Sequence, residues 1–187
     1  MEEWISYIEK NAKSWDKRTQ IHLDSTFYDV AGFKQGRNVL NSIELDALGD
    51  VNNKKLLHLQ CHFGMDTLCW ARLGAEVTGV DLSGEAIANA RNLSMELNIP
   101  AKFLCTNLYS LPGKLNETFD IVFTSYGTII WLPDVTEWAR IIAQYLKPGG
   151  VFYFVDFHPF VWMLDDNNDK IHYPYFNKGV IHTEQMG

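Results

Sequence analysis

The chain has 187 residues, 47% of them hydrophobic, with six Trp, eight Tyr and eleven Phe; this is enough for one domain with its own core, and it excludes a disordered chain. Sixteen basic against 23 acidic residues give a net charge of -7, and no basic block occurs, which argues against nucleic acid as a partner because phosphate contacts need clustered Lys and Arg. The three cysteines, Cys61, Cys69 and Cys105, form no C-x-x-C pair, so the expectation is no disulfide framework and a reducing, cytoplasmic location.

The first residues, "MEEWISYIEK", are acidic and amphipathic with no basic start, so no signal peptide is expected. Residues 2–17 read as a helix with Trp4, Ile5, Ile8 and Ala12 on one face. The segment "IHLDSTFYDVAGFKQG" is mixed and broken by Gly32 and Gly36, and "RNVLNSIELDAL" reads as a helix ending at Gly49. Residues 1–50 are therefore expected to form a helical N-terminal cap. From Val51 the pattern changes to alternating strands and helices. "KKLLHLQ" is a strand, "DTLCWARLG" a helix stopped by Gly74, and "EVTGVD" a strand of β-branched residues. "SGEAIANARNLSMELN" is a helix with Ser83 as N-cap, and "AKFLC" a third strand. "FDIVFTSY" is a strand apolar enough to be buried on both faces. "DVTEWARIIAQYL" is a helix opened by Asp134 and Glu137, "KPGG" a turn, and "VFYFVDF" a fifth strand. The apolar runs are strand-sized, so no membrane span is expected. In the tail from His158, only "GVIHT" suggests one short strand of a hairpin. The order predicts an α/β fold for residues 51–187, a parallel sheet wound with helices on both faces.

In such a sheet a ligand sits at the carboxyl ends of the strands, where strand order reverses. The first strand enters that crevice through "QCHFGMD". A dinucleotide loop would read G-x-G-x-x-G, yet only Gly64 is present, which disfavours a pyrophosphate cofactor. Four pieces in order, "LLHLQCHFG", "VTGVDLS", "FDIVFTSYGTIIWLPD" and "LKPGGVFYF", resemble the class I S-adenosylmethionine-dependent methyltransferases over about residues 54–159. That family's first motif is of the type L-D-x-G-x-G-x-G. Aligned on Gly64, its acid falls on His58 and its first two glycines on Gln60 and His62. The loop is similar to that of a poorly characterised branch of the family that carries the same "LQCHFG".

The resemblance implies a Rossmann-like sheet, S-adenosylmethionine as cofactor, and methyl transfer to a small-molecule acceptor through an oxygen, nitrogen or sulfur nucleophile. It implies cofactor contacts from Gln60, His62 and Gly64 in the first loop, from Asp81 and Leu82 at the ribose, and from Asn107 near the adenine. Tyr126, with Gly127 and Thr128, falls on the substrate-facing edge. His158 follows the fifth strand on that edge, so His158 and Tyr126 are the candidate catalytic residues, with His62 competing as base. The family's sheet has seven strands, the last two an antiparallel pair, whereas five are legible here. The chain is thus expected to lack the last two strands, to expose an edge, and to associate, as a homodimer or an aggregate.

Other readings attach to particular residues. Asp81 could serve only as an N-terminal charge for the next helix, and Asn107 as a turn residue. His58, Cys61 and His62 have an H-x-x-C-H spacing, but His58 and Cys61 point to opposite faces in a strand, so no metal is expected and His58 reads as a core histidine. Trp15, Phe27 and Tyr28 are candidates for a lid, with Trp15 read as core. His158-Pro159 could merely end a strand. The rival functions are a non-catalytic S-adenosylmethionine-binding module, favoured by the unusual loop, and an NAD-type oxidoreductase, to which Asp81 is suited and the missing glycines are not.

Overall fold

Strands that are apolar on both faces demand cover on both sides, and this fold supplies it with helices. The computed structural model describes residues 2–165 and 169–176. Three helices come first: α1 (Glu2–Leu23), α2 (Val30–Lys34) and α3 (Ser42–Leu48). Then follow β1 (Lys55–Leu59), α4 (Met65–Arg72), β2 (Glu76–Asp81), α5 (Gly84–Glu96), β3 (Lys102–Cys105), β4 (Phe119–Thr124), α6 (Val135–Tyr145) and β5 (Leu146–Phe154). The five strands are parallel in the order β3-β2-β1-β4-β5. Strand order reverses between β1 and β4, so the loops that follow these two strands flank the crevice.

Period-two alternation divides the core. Leu56, Ile121 and Phe123 face α4 and α5, where they meet Trp70, Ile87 and Ala90. Leu57, Leu59 and Val122 face α6 and its Trp138, Ile141 and Ile142. Phe33 and Leu40, ahead of the sheet, share the first of these clusters, and the Arg72 guanidinium lies 4.2 Å from the Phe33 ring centre.

Several boundaries differ from the sequence expectation. The first helix continues through Leu23, because no breaker intervenes and the Thr19 hydroxyl turns back to the Trp15 carbonyl at 2.8 Å. The expected helix over residues 37–48 begins only at Ser42. Asn41 is extended, and the Glu44 carboxylate accepts its backbone N–H, which fixes the start there. "KPGG" lies inside the pairing of β5 rather than before it: Leu146 pairs with Phe119 and Val151 with Ile121, so the intervening residues bulge. Gly149 has φ 79°, and a Cβ on Gly150 would stand 3.0 Å from the Lys147 carbonyl and 3.1 Å from that of Asp120. The tail contains a 3-10 turn, Pro159–Met163, and an isolated antiparallel bridge between Leu164 and Ile171. The short strand expected at residues 179–183 lies outside the described residues. Within them β5 is an edge of the sheet, and Val151, Phe152 and Phe154 on it are exposed. Among the described residues no helix is long and apolar enough to cross a membrane.

Candidate functional site

The loop after β1 has the backbone of a glycine-rich turn without the glycines. Gln60, His62 and Gly64 all have positive φ, 59°, 50° and 79°, a region that costs a residue with a Cβ about 1–2 kcal/mol. Side-chain and backbone contacts hold them there. Gln60 Nε2 donates to the Thr128 carbonyl at 3.1 Å, across the crevice from β1 to the loop after β4. The His62 N–H donates to Asp81 Oδ2 at 2.8 Å. Gly64 cannot be replaced without repacking, since a Cβ there would lie 2.8 Å from Phe103 and 2.9 Å from Ala90.

Asp81 ends β2 beneath this loop. Its other oxygen accepts the Ser83 N–H at 2.9 Å. Burial pushes its carboxyl above the usual range, and the backbone donors pull it back. With Leu82 as a further backbone donor, the carboxylate still has acceptor capacity for a ligand hydroxyl. Asn107 also faces the crevice, and its carboxamide oxygen accepts the Tyr109 N–H at 3.1 Å.

Helix α1 lies over this edge. Asp16 accepts the Ser83 hydroxyl at 2.6 Å. Trp15 meets His62 and Trp131 edge-on, with ring centres 5.3 and 5.4 Å apart. Trp15 therefore lines the site rather than the core, together with Phe27 and Tyr28. His22 Nδ1 and His62 Nε2 are 2.9 Å apart. Burial lowers both imidazoles, helped at His22 by the charge of Arg18 and at His62, which falls to about 3, by His22. Where Ile8 and Asn11 of α1 approach Asp81, Asn107 and Trp131, only about 40 Å³ of space remains.

On the other side of Gln60 and Asp81 the crevice opens into a cavity of about 940 Å³. Besides Asp81, two acids stand on its wall. Glu44, from α3, is 1% exposed. Asp66, in the first turn of α4, is enclosed by protein with part of its surface turned to the cavity, and it accepts the Ser125 hydroxyl at 3.1 Å. Burial, reinforced by the charge of Glu44, pushes Asp66 up to about 6. Tyr126 bonds to Glu44 and accepts from Asn41 Nδ2 at 3.1 Å; burial and the Glu44 charge push its hydroxyl up to about 12. Asp156, just past β5, shapes the neighbouring loop by accepting the N–H groups of Gly127, Thr128 and Ile129.

The fold thus brings together Gln60, His62, Gly64, Asp81, Leu82 and Tyr126 around one cavity, with Asn107 beside it. His158 is not among the residues that line it. β5 ends at Phe154, and the exposed His158 ring accepts the Phe160 N–H as the cap of the 3-10 turn. His58 is fully enclosed against Phe123, with Nδ1 2.8 Å from the Thr67 hydroxyl and its imidazole lowered to about 3 by burial. Among the described residues no group of three or more His, Cys, Asp or Glu could hold a metal ion. Glu44 and Asp66 were not legible in advance: in the sequence one is a capping acid and the other a first-turn helix charge.

Residues 57–154 match a family described as a methyltransferase domain. A ubiquinone biosynthesis O-methyltransferase of Photorhabdus laumondii is 31% identical over 134 residues, covering 70% of this chain and 55% of that protein. Among solved structures, an S-adenosylmethionine-dependent methyltransferase from Mesorhizobium loti is 27% identical with a TM-score of 0.54, covering 70% of this chain and 59% of that one. The glycopeptide N-methyltransferase MtfA complexed with sinefungin is 23% identical with a TM-score of 0.54, covering 60% and 50%, and shares the fold. The chain spans about half the length of the curated relatives it matches.

Proposed function

This chain belongs to the class I S-adenosylmethionine-dependent methyltransferases, and from that membership we propose that it transfers the cofactor's methyl group to a small-molecule acceptor bearing an oxygen, nitrogen or sulfur nucleophile. The observation that carries the reading is the cavity of about 940 Å³ at the strand-order switch, with the positive-φ loop 60–64 on one side and Asp81 at its base. A net charge of -7 favours a small acceptor over nucleic acid.

In this reading Asp81 receives the ribose hydroxyls on its free lone pairs, with Leu82 beside it. The loop Gln60, His62 and Gly64 holds the methionine part, and Asn107 lies towards the adenine. The residues fit such a ligand: a buried acid at the strand end and the unpartnered Oε1 of Gln60 both border the cavity. Bound S-adenosylmethionine supplies a methyl group activated on a sulfonium. The protein's part is to hold the acceptor in line and exclude water. Trp15, Tyr28 and Trp131 line the cavity, and aromatic faces suit a cation. Tyr126 is the candidate catalytic group on the acceptor side; His158, outside the cavity, takes no part in this reading. Residues 1–50 act as the cap. The free cysteines fit a cytoplasmic setting, and the exposed β5 edge fits pairing of two copies.

Calorimetric titration with S-adenosylmethionine, S-adenosylhomocysteine and NAD tests the cofactor, and transfer of labelled methyl to an acceptor panel tests the reaction. Binding without any transfer would make the chain a cofactor-binding module. Binding of NAD alone would overturn the reading.

A further inference from the structure

Besides Asp81, the cavity wall carries two carboxylates, and no cation is paired with them. Among the described residues neither Glu44 nor Asp66 takes part in an ion pair. Arg37, on the same wall, is engaged elsewhere: its Nε lies 3.4 Å from Asp29, and its Nη2 donates to the Tyr28 carbonyl at 2.9 Å. The Arg18 guanidinium is held over Trp15 and Trp131. The negative field of the pair reaches across the cavity, raising the hydroxyls of Tyr126 and Tyr153 through Glu44 and that of Tyr28 through Asp66, in each case after burial. The Asn41 N–H and the Tyr126 hydroxyl bond to Glu44 and the Ser125 hydroxyl to Asp66, but buried charge without a counter-ion still costs stability, and such charge in a cleft marks a functional site.

A second observation points to a ligand at the same place. Four buried polar atoms on residues that line this cavity lack any partner: Gln60 Oε1, His62 Nδ1, Thr128 Oγ1, on a residue 8% exposed, and His58 Nε2, on a residue 1% exposed. Each can accept a hydrogen bond. The wall therefore carries neutral acceptors beside its carboxylates. The cavity lining is aromatic, with Trp15 and Tyr28 and the exposed Phe27 and Phe157, surfaces that favour a cation and an apolar body.

We propose that Glu44 and Asp66 form an ammonium-binding site that selects a small amine as the methyl acceptor. This rests on the methyltransferase reading for the word acceptor, but the ammonium site itself does not. The cation would complete the pair of carboxylates, and the aromatic lining would take the carbon skeleton. Glu44 and Asp66 are specificity-determining residues in this assignment; which atom of the amine receives the methyl group is a separate matter.

The test uses the full chain and calorimetry. Phenethylamine, tryptamine and cyclohexylamine are titrated against their neutral counterparts phenethyl alcohol, tryptophol and cyclohexanol, with and without saturating S-adenosylhomocysteine. Each amine should bind about ten- to hundredfold more tightly than its alcohol, the range for a charge-assisted hydrogen bond. In Asp66→Asn and Glu44→Gln that preference should fall by about tenfold or more, while affinity for S-adenosylhomocysteine stays at the parental value. Thermal melts of both variants show whether they fold, and Asp66→Asn should melt no lower than the parent at neutral pH. Equal binding of amines and alcohols, or no amine binding at all, overturns the proposal. So does a variant that loses S-adenosylhomocysteine affinity but keeps the amine preference, which would give the pair to the cofactor's own ammonium. Failure of S-adenosylhomocysteine to bind the parent sinks the methyltransferase reading instead, and the amine preference measured without it still decides the ammonium site.

Discussion

The Asp81 carboxylate accepts the His62 backbone N–H at 2.8 Å, tying the end of β2 to the loop that leaves β1. One acid thereby does two jobs. It fixes a loop whose residues resist their own conformation, and it faces the crevice with lone pairs to spare. Asp81→Ala should therefore lose more than a ligand contact. Removing a charged partner costs roughly 1.5–3 kcal/mol, about ten- to hundredfold in affinity. S-adenosylhomocysteine affinity should fall by at least that much, and stability should fall with it. Calorimetry and urea unfolding on the same preparation check both. Unchanged stability would mean that the loop holds itself.

Substitutions in the loop separate strain from packing. Gln60→Gly relieves a positive-φ side chain and loses the bond to the Thr128 carbonyl, two effects of about 1 kcal/mol and opposite sign. Its unfolding free energy should lie within about 1 kcal/mol of the parent. Gly64→Ala combines φ 79° with contacts of 2.8 and 2.9 Å to Phe103 and Ala90. It should cost about 2 kcal/mol or more. Urea denaturation distinguishes them, and equal stabilities would refute the packing role given to Gly64.

The sequence carried the sheet because each strand repeats a local signal, with Leu56 and Leu57 on opposite faces and Ser83 capping the helix after Asp81. The place of the first loop was legible for the same reason. Its backbone was not: nothing in "QCHFG" announces positive φ at Gln60 and His62, which long-range bonds to Thr128 and Asp81 enforce. The acidic pair was hidden because Glu44 and Asp66 lie 22 positions apart on separate helices, and each has an innocent local explanation. His158 shows the converse. Its motif was visible, but the strand ends at Phe154, and by His158 the chain has turned into a 3-10 cap with the ring at the surface.

Helix α1 is the element most expected to respond to cofactor. The space between Ile8, Asn11, Asp81 and Asn107 is about 40 Å³, against about 940 Å³ in the neighbouring cavity. An adenine directed towards Asn107 must displace this part of α1. Hydrogen exchange across residues 8–19 should change when S-adenosylhomocysteine is added, while β1 and β4 stay protected. Identical exchange of α1 with and without ligand would place the adenine elsewhere.

The acidity of Asp66 makes a stability prediction that needs no ligand. Its carboxyl titrates at about 6 in the folded protein and at about 3.9 when unfolded. Between these values the folded state binds the extra proton. Stability therefore declines as pH rises from about 4 to about 6 and is flat above, the full loss being at most about 3 kcal/mol. Asp66→Asn removes the titration. Relative to the parent it should gain stability progressively across that window and hold the gain at pH about 7–8. His58 and His62 work in the opposite direction. Both are lowered to about 3, so the unfolded chain takes up protons below about 6.5 that the folded one refuses, and stability falls as pH falls. Parent and variant share those histidines, and the difference between them isolates Asp66. Urea unfolding of both proteins at several pH values gives that difference. A variant whose advantage does not change with pH would show that Asp66 is already ionised without cost, and that the cavity wall does not press its charge against that of Glu44.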